Sequence, residues 1–311
     1  MINNLFNDEL TFFRTNLDFF INLYLEKKLP QTLLFTGDRS IGKLNFTYHL
    51  VNFILSQNEE TKYNTKLYRI NPNSKTYKQL SKNLHPNLFL ISPNDNKKFI
   101  EISQIKDLQN YLNKSSFNKL PKIIIINQSE YLNLSSSNAL LKLLEESYVN
   151  VFFILIHDIK KILIPTIKSR CIPFKFFLKN EDRIKRINEL LNNQYDILSP
   201  DFKNKYLNPI FFSDLKEYCK KNSLEIEKIN LNSLLSDIFS KKNFKKNKFV
   251  YNNFFLLTQL FLYKRIEEKL EIEKYFSLLK YFTKRFNDII RYNLDFESYV
   301  LEFKYLIYDE K

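Results

Sequence analysis

Glycine is almost absent from this 311-residue chain, which contains two, Gly37 and Gly42. Glycine is the residue that most readily adopts a positive φ angle and that lets another group approach the backbone closely. A sequence so poor in glycine should keep it mainly where one of these properties is needed. Both glycines fall in one short stretch, so this stretch is the first candidate for a functional site.

Cysteine is scarce as well, because only Cys171 and Cys219 are present. Two cysteines exclude a multi-disulfide framework and a four-cysteine zinc site. The three histidines, His49, His85 and His157, are scattered through different predicted elements and form no ligand set, so we expect no bound metal. No apolar run approaches the ~18 residues of a membrane span, and the amino terminus lacks a signal-peptide pattern. The sequence predicts a cytoplasmic protein without membrane contact.

The chain is basic, with 48 Lys and Arg against 34 Asp and Glu and a net charge of +14. Such a charge favours polyanionic partners such as nucleic acid. The composition is skewed, with no tryptophan and a single alanine, and base composition alone can raise the lysine content. A lysine-rich run at 241–248 allows the same two interpretations, a solvated loop or a phosphate contact.

The two glycines belong to a phosphate-loop motif. Residues Gly37–Lys43 match G-x-x-x-x-G-K, and the apolar run 32–36 before them predicts a strand, while 45–55 predicts a helix. This strand–loop–helix context is the one that a P-loop requires. The next residue is Leu44, however, where an active loop carries the Ser or Thr hydroxyl that binds magnesium.

The first part of the chain alternates predicted strands with helices, which indicates a parallel α/β sheet with helices on both faces. Lys122–Asn127 contains four consecutive isoleucines, a pattern typical of a central strand buried on both faces. The other predicted strands are 66–70, 88–91, 151–156 and 172–177. A helix over 138–146 is predicted to be capped by a serine among 135–137.

A P-loop enzyme carries a magnesium-binding acid at the end of one strand of its sheet. In this chain the isoleucine strand is predicted to be that strand. It ends in Asn127 and Gln128, where two acids are expected. With Leu44, the site lacks the hydroxyl and both carboxylates, and these losses should abolish hydrolysis. We expect a chain that is no enzyme by itself.

Two further motifs carry a resemblance. Residues 137–146, Ser-Asn-Ala-Leu-Leu-Lys-Leu-Leu-Glu-Glu, are similar to the N-A-L-L-K-x-L-E-E helix of bacterial sliding-clamp loaders, and Ser169-Arg170-Cys171 resembles their S-R-C signature. The P-loop, His85-Pro86, the isoleucine strand and these two motifs follow one another in the same order as in that AAA+ family, so the resemblance extends through about residue 175. A chain with this arginine but a degenerate loop is similar to the delta-prime type of the DNA polymerase III clamp loader.

The resemblance implies an AAA+ P-loop parallel α/β domain over 1–172, a small helical lid over 173–228 and a C-terminal helical collar domain over 229–311. It implies that Arg170 is an arginine finger that enters the ATP site of a neighbouring motor subunit, with Ser169 and Cys171 as structural parts of the motif. The implied partners are other clamp-loader subunits, motor and delta-type, the sliding clamp and primer-template DNA.

The sequence departs from the family in the stretch 57–84, where many members carry a four-cysteine zinc module and this chain has no cysteine. We expect no zinc and no required cofactor. Gly37, Gly42 and Lys43 leave open a passively bound ATP or ADP that is not hydrolysed. Two alternatives also stay open: an ATP-hydrolysing motor-type AAA+ protein, and a stand-alone basic nucleic-acid-binding protein.

Overall fold

The computed structural model describes residues 8–93, 99–114, 118–203, 207–241, 244, 247–267, 272–292 and 294–309. The chain divides into two compact units, Met1–Asp182 and Arg183–Lys311. The predicted domain limits at 172 and 228 stay predictions. In the parts of the chain given above, no helix combines the length and the apolar character needed to cross a membrane.

The first unit contains a five-stranded sheet in which every pair of neighbours is parallel, as predicted. The strand order is β2-β3-β4-β1-β5. The strands are β1 (Thr32–Gly37), β2 (Leu88–Ile91), β3 (Lys122–Ile126), β4 (Val151–Asp158) and β5 (Ile172–Lys175). The helices are α1 (Arg14–Leu25), α2 (Lys43–Leu55), α3 (Lys75–Leu80), α4 (Ile102–Leu112), α5 (Leu134–Glu145) and α6 (Pro165–Ser169).

Both faces of this sheet are buried, because successive side chains of a strand point to opposite faces. In β3, Ile123 and Ile125 pack with α1 and α2, whereas Ile124 and Ile126 pack with α4 and α5. All four isoleucines are fully buried. The prediction of a central strand covered on both sides is confirmed.

Two local predictions are wrong. Residues 66–70 form no strand; Asn64 and Arg69 make an isolated antiparallel bridge, and the short helix α3 follows. Helix α5 begins earlier than predicted, at Leu134, because Asn133 caps it: the Asn133 side chain accepts a hydrogen bond from Ser136 N at 2.8 Å. Asparagine and serine are equally good helix caps, so sequence alone did not distinguish them.

The second unit is helical in its described residues, as the loss of strand patterns after 178 predicts. Its helices are α7 (Asn180–Leu190), which begins just before the unit, α8 (Pro209–Lys221), α9 (Leu231–Lys241), α10 (Lys248–Glu267), α11 (Ile272–Tyr292) and α12 (Phe296–Phe303). Edge-to-face aromatic pairs dominate its core, with Phe282 5.6 Å from both Tyr299 and Phe303. Half of the lysine-rich run at 241–248 lies outside the described residues.

Lys122, the first residue of β3, is 5% exposed and caps the end of a neighbouring helix. Its amine donates to the carbonyls of Tyr111 at 3.1 Å and Leu112 at 3.2 Å, and also to that of Lys114. These carbonyls at the end of α4 have no partner within the helix. Burial lowers the pKa of Lys122.

Replacing Lys122 with Met should lower the free energy of unfolding of the first unit by about 1 to 3 kcal/mol, because carbonyls that are buried or partly buried lose their donor. Urea denaturation with hydrogen exchange at the end of α4 would measure this loss. Lys119, which is exposed, provides the matched Lys119→Met control. Equal stability of the two variants would contradict the capping role.

Candidate functional site

The phosphate-loop motif lies at the carboxyl edge of the sheet. Gly37 ends β1 and pairs with Asp158, the last residue of β4. Asn127 directly follows β3, and its backbone N–H continues the ladder by donating to the Ile91 carbonyl at 2.8 Å. The loop and the strand end that were predicted to form a nucleotide site therefore meet at one edge, as the parallel sheet requires.

Lys43 is 6% exposed and turns back onto the loop that precedes it. Its amine donates to the carbonyls of Gly37 and Asp38, both at 2.6 Å. The Gly37 carbonyl also accepts from the backbone N–H of Ile159 at 3.2 Å. The lysine of the motif thus closes the loop on itself through two short hydrogen bonds.

The electrostatic environment of Lys43 contains acids that the motif does not predict. Burial lowers its pKa to about 8, and the negative charges of Asp158, Glu130 and Asp38 oppose this shift. At neutral pH the amine is still mainly protonated. Two carboxylates, Asp158 and Glu130, therefore contribute negative potential at the loop.

These two carboxylates are held by backbone donors. The Glu130 side chain accepts from the backbone N–H of Asp158 at 3.1 Å, and Asp158 Oδ1 accepts from the N–H of Lys160 at 3.1 Å. The sequence prediction missed both, because a P-loop motif places its acids at the two positions directly after β3. The available signal was an acid at the end of another buried strand, since parallel strands end at the same edge.

Leu44, Asn127 and Gln128, the three positions that differ from an active loop, each have a structural role in their surroundings. Leu44 packs against the apolar cluster of α1, α2 and β1. Asn127 continues the sheet ladder, and Gln128 adopts a left-handed backbone with φ 57° before a turn of 3-10 helix at Ser129–Tyr131. None of these three side chains carries a hydroxyl or a carboxylate.

The two glycines are needed for different reasons. A Cβ at Gly37 would lie 2.4 Å from the Phe176 carbonyl oxygen, so β1 and the segment after β5 approach too closely for any side chain. At Gly42 a Cβ would meet no heavy atom within 4 Å, but φ is 100°, which L-residues rarely adopt. Gly37 requires glycine for space, in addition to its φ of 158°, whereas Gly42 requires it for backbone conformation alone.

Arg170 follows α6 directly and pairs with the last residue of α5. Its Nε donates to Glu145 Oε1 at 2.7 Å, and Nη2 forms an ion pair with the same oxygen. Its Nη1 donates to the Thr166 carbonyl at 3.0 Å, which caps the end of α6. The Arg170 side chain is 37% exposed. The two sequence motifs, 137–146 and 169–171, are therefore brought into direct contact.

The residues beside Arg170 anchor it. Ser169 Oγ donates to the Thr166 carbonyl at 3.0 Å. Cys171 is buried among the residues that pack α4 and α5 on the sheet, and burial raises the pKa of its thiol to about 12. Cys171 is therefore a protonated, apolar anchor on one side of an exposed arginine.

Arg170 and the phosphate loop lie at opposite edges of the sheet. Ile172, which begins β5, pairs with Leu33 near the start of β1, whereas the loop begins at Gly37. Four residues of strand at about 3.3 Å each separate these levels by about 13 Å. The structure does not bring Arg170 together with Gly37, Gly42 and Lys43.

In the described residues, no group of three or more His, Cys, Asp or Glu side chains has an arrangement that could hold a metal ion.

A parallel sheet in the order β2-β3-β4-β1-β5, with a P-loop between β1 and α2, defines a P-loop α/β domain of the AAA+ class. The family described as "DNA polymerase III, delta subunit" matches residues 14–180, more than half of the chain. The chain therefore belongs to this family, and the relatives it resembles within it are delta-prime subunits.

Three of these relatives show the range of similarity. The DNA polymerase III subunit delta-prime of Pseudomonas aeruginosa is 33% identical over 30% of this chain and 28% of its own length. Those of Buchnera aphidicola, from Baizongia pistaciae and from Schizaphis graminum, are 27% and 24% identical over 75% and 87% of this chain, and 68% and 83% of their own. The chain thus spans less than a third of the first relative and about two thirds or more of the other two.

Among solved structures, a DNA polymerase III gamma-subunit-related protein of Thermotoga maritima aligns with 87% of this chain and 78% of its own. The identity is 20% and the TM-score is 0.36. The assignment of the fold rests on the sheet order and not on this likeness.

The close backbone contact at Gly37 and the positive φ at Gly42 predict different losses of stability on substitution. Gly37→Ala should lower the free energy of unfolding by about 1 to 3 kcal/mol or more, because backbone must move away from the new Cβ. Gly42→Ala, the matched control, should cost about 1 kcal/mol through backbone strain alone. Denaturant unfolding measures both losses, and a larger loss in Gly42→Ala would refute this account.

The lowered pKa of Lys43 gives a pH prediction. The pKa is about 8 in the folded chain and 10.5 in an unperturbed lysine, so the unfolded chain binds more protons between these values. The contribution of Lys43 to the free energy of unfolding should therefore rise with pH across this range, by about 1 to 3 kcal/mol. Lys43→Met removes this contribution.

The measurement is the difference in unfolding free energy between the unsubstituted chain and Lys43→Met, followed from pH 7 to 10.5. Other groups that titrate in this range, Cys171 among them, cancel in the difference. A difference that falls or stays constant as pH rises would contradict the lowered pKa.

Proposed function

We propose that this chain is a clamp-loader subunit that acts in ATP hydrolysis through Arg170, in the site of a neighbouring motor subunit, and does not hydrolyse ATP itself. Its partners would be the other clamp-loader subunits, the sliding clamp and primer-template DNA. Membership of the DNA polymerase III delta-subunit family supports the proposed assembly with other clamp-loader subunits. The specific role of Arg170 rests on the geometry below.

The position of Arg170 carries the proposal. It lies at the sheet edge opposite its own phosphate loop, partly exposed and anchored by Cys171, so it is better placed for another molecule than for its own loop. A guanidinium suits this task because it is planar, always charged and able to bind phosphate oxygens through two parallel N–H groups. Stabilisation of transition-state charge by such an arginine accelerates phosphoryl transfer by about 10³ to 10⁵-fold.

The chain's own loop is suited to a supporting role. Leu44 offers no oxygen to a magnesium ion, and the Lys43 amine is bonded to the loop carbonyls. Gly37, Gly42 and Lys43 would accommodate a nucleotide only after this amine leaves its carbonyl partners. A nucleotide bound in this way would be structural and would not be hydrolysed.

One observation favours a second candidate, an ATPase that hydrolyses at its own loop. Glu130 and Asp158 keep carboxylates near Lys43. Both, however, already accept hydrogen bonds from backbone N–H groups. We therefore favour action through Arg170. The third candidate, a stand-alone nucleic-acid-binding protein, rests on the net charge and on the run at 241–248.

Arg170→Ala should abolish hydrolysis at the neighbouring site. In a loader reconstituted from this chain and its cognate subunits, with the other motor sites inactivated, DNA- and clamp-stimulated turnover should fall by about 10³-fold or more. The matched control is Arg69→Ala, which removes another exposed arginine that pairs with a glutamate, Glu9, at 2.9 Å. Turnover unchanged by Arg170→Ala would refute the proposal.

The same preparation tests the second candidate. The isolated chain should show no magnesium-dependent ATPase, and Lys43→Ala in the reconstituted loader should leave turnover at the neighbouring site unchanged. An ATPase of the isolated chain that is lost in Lys43→Ala would favour hydrolysis at its own loop.

A further inference from the structure

Glu145 contacts the side of the Arg170 guanidinium, and not its tip. Both Nε and Nη2 face the same oxygen, Glu145 Oε1. On the other side of the group, Nη1 donates to the Thr166 carbonyl. The planar guanidinium is therefore held at two of its three edges, by a side chain of α5 and by the backbone of α6.

This arrangement leaves one edge of the guanidinium for another acceptor. The group carries five N–H donors in a fixed planar fork. The contacts engage Nε–H and one N–H of Nη2 toward Glu145 and one N–H of Nη1 toward Thr166, so within the described residues two N–H groups remain, one on each Nη. Donors of this kind are those with which a guanidinium binds phosphate oxygens.

The pair is too exposed to be important for folding. Glu145 is 53% exposed and Arg170 37%. Ion pairs at such exposure contribute little to stability, since solvent screens them and two long side chains lose freedom. What the carboxylate changes most is orientation, because a free arginine side chain samples many rotamers whereas this one is held at two edges.

We propose that Glu145 is the positioning residue of Arg170: it holds the guanidinium so that the two remaining N–H groups of Nη1 and Nη2 face a phosphate of the neighbouring subunit. This inference rests on the proposed function of Arg170. The residues concerned are the last of α5 and the first after α6, so the contact joins two helices that pack on the same face of the sheet.

A positioning role predicts a specific kinetic signature. Positioning acts on the transition state, so loss of Glu145 should lower kcat and leave KM nearly unchanged. In the reconstituted loader with one intact motor site, Glu145→Ala should lower kcat at that site by about tenfold, because misplacement by about 1 Å costs up to about 100-fold. Glu145→Gln keeps the accepting Oε1 and should recover most of the loss.

The chain offers a matched control in Glu146, the next residue, which accepts a hydrogen bond from the Tyr148 hydroxyl. Within the described residues it forms no hydrogen bond or ion pair with Arg170. Glu146→Ala should leave kcat unchanged. In the double variant of Glu145→Ala and Arg170→Ala, turnover should equal that of Arg170→Ala alone, because Glu145 acts only through the arginine.

The outcomes separate the two claims. If Arg170→Ala abolishes turnover but Glu145→Ala behaves like Glu146→Ala, the positioning role is wrong and the function of Arg170 stands. If Glu145→Ala weakens assembly of the loader or raises KM with kcat unchanged, the residue is structural and the inference is overturned. If Arg170→Ala has no effect, the proposed function fails and this inference fails with it.

Discussion

The common direction of the strands is the constraint on which the rest of this structure depends. Because all five described strands are parallel, the loops that follow them meet at one edge and the segments that precede them meet at the other. Gly37 and Asp158 lie at the first edge, and Arg170 and Glu145 lie at the second. No change of side-chain rotamer can bring the arginine to the chain's own phosphate loop. The phosphate-loop motif and Arg170 are therefore separated by the sheet itself.

The phosphate loop is stabilised by the chain's own groups. Lys43 donates to two carbonyls of the loop, and the charges of Glu130 and Asp158 offset part of the cost of burying its amine. Gly37 fixes how closely β1 and the segment after β5 approach each other. These features explain how the loop holds its shape with Leu44, and not a Ser or Thr, as the residue after Lys43.

The sequence predicted the fold where a pattern repeats along one element. The isoleucines of β3 are of this kind, and the strand and helix predicted on either side of Gly37–Lys43 also match the structure. The strand expected at 66–70 failed because short apolar runs carry no period long enough to separate strand from loop. The pairing of Glu145 with Arg170 was beyond reach, since it joins residues 25 positions apart that meet only after α5 and α6 pack on the sheet.

Helix α5 runs from one edge of the sheet to the other. It begins at Leu134, shortly after the turn that carries Glu130, and it ends at Glu145, before β4 starts at the opposite edge. Twelve residues at about 1.5 Å each make a rigid rod of about 18 Å. A displacement of this rod along its axis moves Glu145 by the same distance, and with it the contact that orients Arg170. Helix α5 thus connects the two edges of the sheet, from the turn that carries Glu130 to the contact with Arg170.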